Sequence, residues 1–209
     1  MTQPPANCPN CGAAITFRWS GSVQTVCEYC KSVLVRTDLD LEKIGQIAAF
    51  PSNNSPIQIG TEGVYGKHTF VVIGRIMYEY DQGNWNEWHV VMNDSTSGWL
   101  SDAQLEYAVS FAATGQALPE SCKVGQQYRW NGQDYTVSSV TKAHYSGIEG
   151  ELPFKYWDKS DVLFADLRSH SNRFGTVDYS EQPPLLFLGE LVDFEGLKLT
   201  NLRTFEGWS

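Results

Sequence analysis

Three observations predict a mainly β protein. The 209 residues include seven Trp, ten Tyr and ten Phe, an aromatic load that suits strands better than helices. Short runs of alternating apolar and polar residues are separated by turns rich in Gly, Asn, Asp and Ser. Near the start stand two CxxC pairs, Cys8-Pro9-Asn10-Cys11 and Cys27-Glu28-Tyr29-Cys30, with fifteen residues between them. The expected organisation is an N-terminal zinc ribbon over residues 1–36, then a linker with room for a short helix over 37–56. Two related small β-barrel or meander units follow, the first over 57–118 and the second, with a C-terminal strand, over 119–209.

The cysteines carry the most specific chemistry. Each CxxC turn aims two sulfurs at one ion, and fifteen intervening residues suffice for a hairpin that brings the turns together. Thiolate ligands and four-coordination favour zinc, with iron as the competing metal. Cys8, Cys11, Cys27 and Cys30 would close the coordination shell, so one structural zinc per chain is expected and no catalytic metal. Two disulfides would need an oxidising compartment. The first residues, Met1-Thr2-Gln3-Pro4-Pro5-Ala6-Asn7, show neither the basic start nor the apolar core of a secretory signal. A redox dithiol needs only one pair, beside a βαβ pattern. Within the ribbon, Ile15, Phe17 and Trp19 alternate as a strand and Ser20-Gly21-Ser22 turns the chain. Val23–Val26 returns, and Ser32–Val35 leaves as a third strand.

Charge excludes one class of partner. Of the net −9, residues 1–36 contribute +2 (Arg18, Lys31 and Arg36 against Glu28) and the rest −11 (12 basic against 23 acidic). Four thiolates around one divalent ion would bring the ribbon to neutrality. No concentrated basic face is left to release counterions from DNA or RNA, so no nucleic-acid partner is expected. No apolar run approaches the ~20 residues that span a bilayer. The expectation is a cytoplasmic protein with a protein partner, which could itself be peripheral to a membrane.

In the linker, Asp38–Ile44 reads as a short helix with Asp38 as N-cap, and Pro51–Pro56 as a polar boundary loop. Beyond it, Ile59-Gly60, Tyr65, Phe70 and Val72 recur as Val124-Gly125, Trp130, Tyr135 and Val137, always 65 residues on. Thr69–Met77 is nearly all apolar, as in a strand buried on both faces, with Gly74 marking a bulge. Asp81–Asn84 turns into Trp85–Met92, and Asn93–Gly98 turns into Trp99-Leu100. In the second unit Gly147–Gly150 reads as a loop, and Leu197–Leu202 as a final strand.

The run Ile59-Gly60, Tyr65-Gly66, Phe70-Val71-Val72-Ile73-Gly74-Arg75-Ile76 resembles the bacterial domain of unknown function DUF4178, as do Trp85-Asn86-Glu87-Trp88 and Trp99-Leu100. The resemblance covers most of residues 8–190, and its motifs are packing and turn residues. In the second unit Ser139 and Val140 replace Gly74 and Arg75. The resemblance implies an N-terminal zinc ribbon, paired units and a setting near membrane-stress and polyamine-synthesis genes, with no established reaction.

Glu87 is the most suggestive residue outside the cysteines. A carboxylate flanked by Trp85 and Trp88 could hold a cation such as a polyamine by charge and cation–π attraction. Trp85 and Trp88 differ by three positions, however, so a regular strand would point them to opposite faces. His68, His89, His144 and His170 sit in no catalytic motif, and Cys122 reads as a buried thiol. The expected function is therefore non-catalytic, a zinc-binding interaction or scaffold protein, for which the resemblance implies a membrane-stress or polyamine-linked setting. The alternatives are a sensor of a small cation at Trp85, Glu87 and Trp88, and an enzyme assembled from distant strands.

Overall fold

The computed structural model describes residues 6–37, 40–47, 55–155 and 160–204. The first strands are β1 (Ala6–Asn7), β2 (Ala14–Ile15), β3 (Gln24–Val26), β4 (Ser32–Arg36) and β5 (Leu41–Gln46). There follow β6 (Glu62–Tyr65), β7 (His68–Tyr80), β8 (Gly83–Met92), β9 (Ser97–Ala103) and β10 (Glu106–Ala113). The last are β11 (Gln127–Trp130), β12 (Gln133–Leu152), β13 (Val162–Arg168), β14 (Arg173–Asp178) and β15 (Leu185–Val192), then a 3-10 turn at Glu195–Leu197. No α-helix occurs among the described residues.

Sheet pairing determines where a site can form. Neighbours run β7–β8–β9–β10–β15–β14–β13–β12, all antiparallel, and β12 pairs back onto β7 over His144–Gly150 against Gly74–Glu79. Eight strands thus make a ring. Two meanders supply it, β7–β10 and β12–β15, and neither closes on its own. At the seam the chains come unusually close. A Cβ on Gly74 would lie 1.9 Å from the Glu151 carbonyl oxygen, and one on Gly150 would lie 2.2 Å from that of Ile73. Glycine is required at both, and Gly74 sits in a bulge of β7 opposite β8, as its place in an apolar run suggests. Gly147–Gly150, expected as a loop, is instead the stretch of β12 that closes the ring, because its glycines permit that approach.

Hydrogen bonds repeat at the 65-residue offset. Gly60 N–H donates to Val72 O (2.8 Å) as Gly125 N–H does to Val137 O (2.9 Å). Val72 N–H donates to Thr61 O (2.8 Å) as Val137 N–H does to Gln126 O (2.9 Å). Tyr65 pairs with His68 across one hairpin and Trp130 with Gln133 across the other.

Much of the apolar packing lies outside the ring. One outer core joins Val72, Trp88, Val90, Leu100 and Val109 to Ile57 and Leu197, so the segments before β6 and after β15 cover that wall. Another joins Val137, Ala165, Leu167, Val177 and Leu186 to Cys122 and Trp130. Strands covered outside in this way are free to turn a mixed polar and aromatic face inward. The expected final strand over Leu197–Leu202 is in fact a 3-10 turn and a single bridge, Thr200 to Glu62. Leu197 is drawn into the outer core, and beyond it the chain meets the edge of β6 at Thr200.

The N-terminal segment adds a β1–β2 pair and a β3–β4–β5 sheet whose β3 pairs with the end of β12. Two expectations fail here. The helix over 38–44 gives way to β5, which pairs along β4 from Arg36↔Leu41 to Ser32↔Gln46; residues 38 and 39 lie outside the described set. An open sheet edge outweighs a short helical pattern, because each edge residue gains a ladder bond. The strand expected over Ile15–Trp19 is only Ala14–Ile15, since the Arg18 and Trp19 amides bond to a side chain instead. The boundary loop expected at Pro51–Pro56 lies mostly outside the described residues.

Candidate functional site

Two constellations merit attention, and the first is the cysteine cluster. Cys8 and Cys11 flank the turn between β1 and β2; Cys27 and Cys30 flank the turn between β3 and β4. Both turns end on a left-handed residue, Gly12 (φ 75°) and Lys31 (φ 57°). The turns face each other with Cys8 Sγ 3.7 Å from Cys30 Sγ and Cys11 Sγ 3.8 Å from Cys27 Sγ, and all four sulfurs lie within 4.8 Å of one another. Thiolates about 2.3 Å from a tetrahedral ion stand about 3.8 Å apart, so the donor set fits such a metal. Cys8 and Cys27 are buried while Cys11 is exposed. None of the five cysteines is in a disulfide.

The second constellation is the lumen of the ring. It encloses a cavity of about 860 Å³ to which every one of the eight strands contributes. Lining positions alternate, as strand geometry demands: Ile76, Tyr78 and Tyr80 on β7, Phe164, Asp166 and Arg168 on β13, Phe174, Thr176 and Asp178 on β14. The cavity runs from Gln82 and Gln104, in turns at one end, to Ser180 and Glu181 near the other. An eight-stranded barrel has room inside for side chains or one small ligand, and this volume lies within the usual range of ligand pockets.

Aromatic rings cluster in one part of the wall. Trp85 stacks on Tyr78 (centroids 4.9 Å, 18° between planes) and meets Tyr80 and Phe164 edge to face, each at 5.6 Å. Tyr78 also touches Tyr145 at 4.6 Å. Against this wall sits Glu87, whose Oε1 accepts from Trp85 Nε1 (3.1 Å) and Oε2 from the Ser101 hydroxyl (2.7 Å). Both donors are neutral. Burial therefore dominates and pushes the Glu87 carboxyl up to about 8 from an ordinary 4.5, with Asp166 and Asp178 adding repulsion. Asp166, held by the Ser139 hydroxyl at 3.0 Å, and Asp178, held by the Ser180 amide at 2.8 Å, are likewise pushed up by burial. In the ring order β8 is four strands from β14, so Glu87 and Asp178 rise from opposite walls. Five lining carboxylates (Glu87, Glu106, Asp166, Asp178, Glu181) face two lining cations, Lys155 and Arg168, and Arg168 is paired with Glu106.

The three residues singled out in the sequence part company. Trp85 and Glu87 share the lumen, whereas Trp88 projects from the other face of β8 into the outer core, 1% exposed. There it packs under Arg75, whose guanidinium carbon lies 4.8 Å from the Trp88 ring centroid. Arg75 is held by Asn86 Oδ1, at 2.9 Å from Nε and 2.6 Å from Nη2, and is part of the seam rather than of the lumen. Among the histidines, His89 is fully buried below the lumen and packs against Trp99, a lining residue (5.3 Å). Trp99 appeared in the sequence only as a packing motif, and Asp166 and Asp178 were not singled out there. Their signal is the spacing of Phe164 with Asp166 and of Thr176 with Asp178, an acid two positions from another inward residue on the same strand face.

A family model described as a domain of unknown function (DUF4178) matches residues 58–194, the stretch that contains the whole ring. No curated protein and no solved structure matches the chain.

Proposed function

The chain belongs to the DUF4178 family through residues 58–194, and on that footing we propose that it is a binding protein whose barrel holds a small organic cation. The observation that carries this reading is Glu87. A carboxylate in the barrel interior, partnered only by neutral donors and packed against an aromatic wall, is costly without a cation and well placed for one. Asp166 and Asp178 across the lumen favour a ligand with more than one amine, extended between the walls. A polyamine has that chemistry. Among the described residues, only the four cysteines cluster closely enough for a metal ion, which favours a larger cation at the acids.

The cysteine site is the ribbon's zinc centre in this reading, structural and one ion per chain. Cys8, Cys11, Cys27 and Cys30 would hold the ion, which would supply folding energy to a segment with a small core of its own. The repeated hydrogen bonds support two related meander units fused into one barrel.

The test is isothermal titration of the full chain with spermidine and with a neutral polyol of similar length. Spermidine should bind at micromolar to sub-millimolar concentration, more tightly at pH 8.5 than at pH 6, and the polyol should not. Absence of heat at millimolar spermidine across that pH range would remove the proposal.

A further inference from the structure

Beside the β3–β12 pairing, a short chain of side-chain contacts joins the N-terminal segment to the floor of the lumen. The Glu151 carboxylate, near the end of β12 and 5% exposed, accepts from the Arg18 amide (2.8 Å), the Trp19 amide (3.3 Å) and the Ser22 hydroxyl (2.5 Å). All three donors lie in the loop between Cys11 and Cys27. The backbone carbonyl of the same Glu151 accepts from His89 Nδ1 at 2.8 Å, which fixes the neutral tautomer and leaves Nε2 to accept from the Ser97 hydroxyl, also at 2.8 Å. Trp19 packs edge-on to the His89 ring at 5.4 Å, and His89 packs on Trp99 at 5.3 Å. Trp99 in turn lines the cavity and meets Phe154, another lining residue, at 5.9 Å.

We propose that metal occupancy of the four cysteines controls ligand binding in the barrel by holding Trp19 against His89 and so fixing the Trp99 floor. The loop bearing Arg18, Trp19 and Ser22 is anchored at its two ends by Cys11 and Cys27, whose sulfurs are 3.8 Å apart. The local core beneath it consists of Cys8, Ile15, Cys27, Leu34 and Leu41, so two of its five buried members are themselves ligands. Without the ion the thiols have no common partner, the loop loses the clamp at its two cysteines and keeps only its Glu151 bonds and the β3–β12 pairing, and Trp19 is pressed less firmly on the floor. Coupling of this kind is reciprocal: the factor by which metal tightens the ligand is the factor by which the ligand tightens the metal. This inference rests on the cation-binding reading for its ligand, though the contacts that transmit it do not.

The experiment compares the zinc-loaded full chain, its EDTA-stripped form and Trp19→Ala, with metal content measured in each. Spermidine should bind the stripped wild type at least fivefold more weakly, and it should slow zinc release from the loaded wild type. Trp19→Ala should keep its zinc, bind spermidine weakly, and lose no further affinity on stripping. Equal spermidine affinity of loaded and stripped wild type, both folded by circular dichroism, would overturn the coupling. If no form binds spermidine the ligand reading fails, and amide hydrogen exchange then decides the coupling. Stripping should speed exchange at Val90 and Gly98–Leu100 in the wild type; unchanged exchange there would refute it.

Discussion

Replacing Glu87 by Gln should make the ligand-free protein more stable at high pH and less stable at low pH. The carboxyl is pushed from an ordinary 4.5 up to about 8 by burial. Between those values the native state keeps a proton that the unfolded chain releases, so stability falls as pH rises through that window and the full cost is present above pH 8. At about 1.4 kcal/mol per pH unit the limit is about 5 kcal/mol, and water inside the lumen should reduce this to about half. Gln escapes that cost. It also surrenders one acceptor, so either the Trp85 indole or the Ser101 hydroxyl loses its partner, at about 1–2 kcal/mol independent of pH. Urea unfolding of both proteins from pH 5 to pH 9 should therefore give curves that cross. The variant should be weaker by about 1–2 kcal/mol at pH 5 and stronger by about 1 kcal/mol at pH 9. Parallel curves would show that Glu87 does not titrate as a buried acid, and the cation-binding argument would lose its foundation. A site residue that destabilises its own fold marks function rather than packing.

Trp85→Ala should weaken spermidine binding about tenfold by removing one face of the aromatic wall, whereas Trp88→Phe, outside the lumen, should leave the dissociation constant unchanged; titration calorimetry separates them. Gly74→Ala places a methyl 1.9 Å from the Glu151 oxygen and should destabilise the chain by about 3 kcal/mol in urea. His89 is pulled down to about 4 by burial, so the unfolded chain takes up a proton the native state refuses as pH falls from 6.5. The acid limb of the stability curve should lose up to about 3 kcal/mol over that interval, and His89→Gln should flatten it. Metal analysis of protein purified without added metal should find about one zinc per chain, and none in Cys27→Ser.

The cysteine cluster was legible in the sequence because its geometry is local. Two tight turns and a hairpin suffice, and ligand spacing encodes all three. Glu87 stood out for its flanking indoles, and alternation along β8 already separated Trp85 from Trp88. Asp166 and Asp178 were invisible for a different reason. They reach Glu87 only after β12 closes onto β7, a pairing between residues about 70 apart that no local pattern announces. The same closure explains the misreading of Gly147–Gly150, where glycines that usually mark a loop serve instead to let two strands touch. At 38–44 a candidate N-cap at Asp38 suggested a short helix, and the open edge of β4 decided otherwise.

The placement of the apolar cores explains why this barrel can hold a polar site at all. A ring whose strands had to bury their hydrophobic faces inward would fill its lumen with aliphatic side chains. Here the segments before β6, after β15 and between β10 and β11 cover much of the outer wall, so Trp88, Val90, Leu167 and Val177 are buried on the outside. Folding energy and binding chemistry then reside on opposite faces of the same strands. Substitutions of outward residues should act on stability alone, and substitutions of Glu87, Asp166 or Asp178 on ligand affinity as well as on the pH dependence of stability. The division is not complete: Ile76, Tyr78, Tyr145, Phe164 and Trp99 belong both to a packed core and to the cavity, and at Trp99 the N-terminal segment makes its contact through His89. Under the proposed coupling, Trp99 is the position at which metal at the four cysteines would influence what the barrel holds.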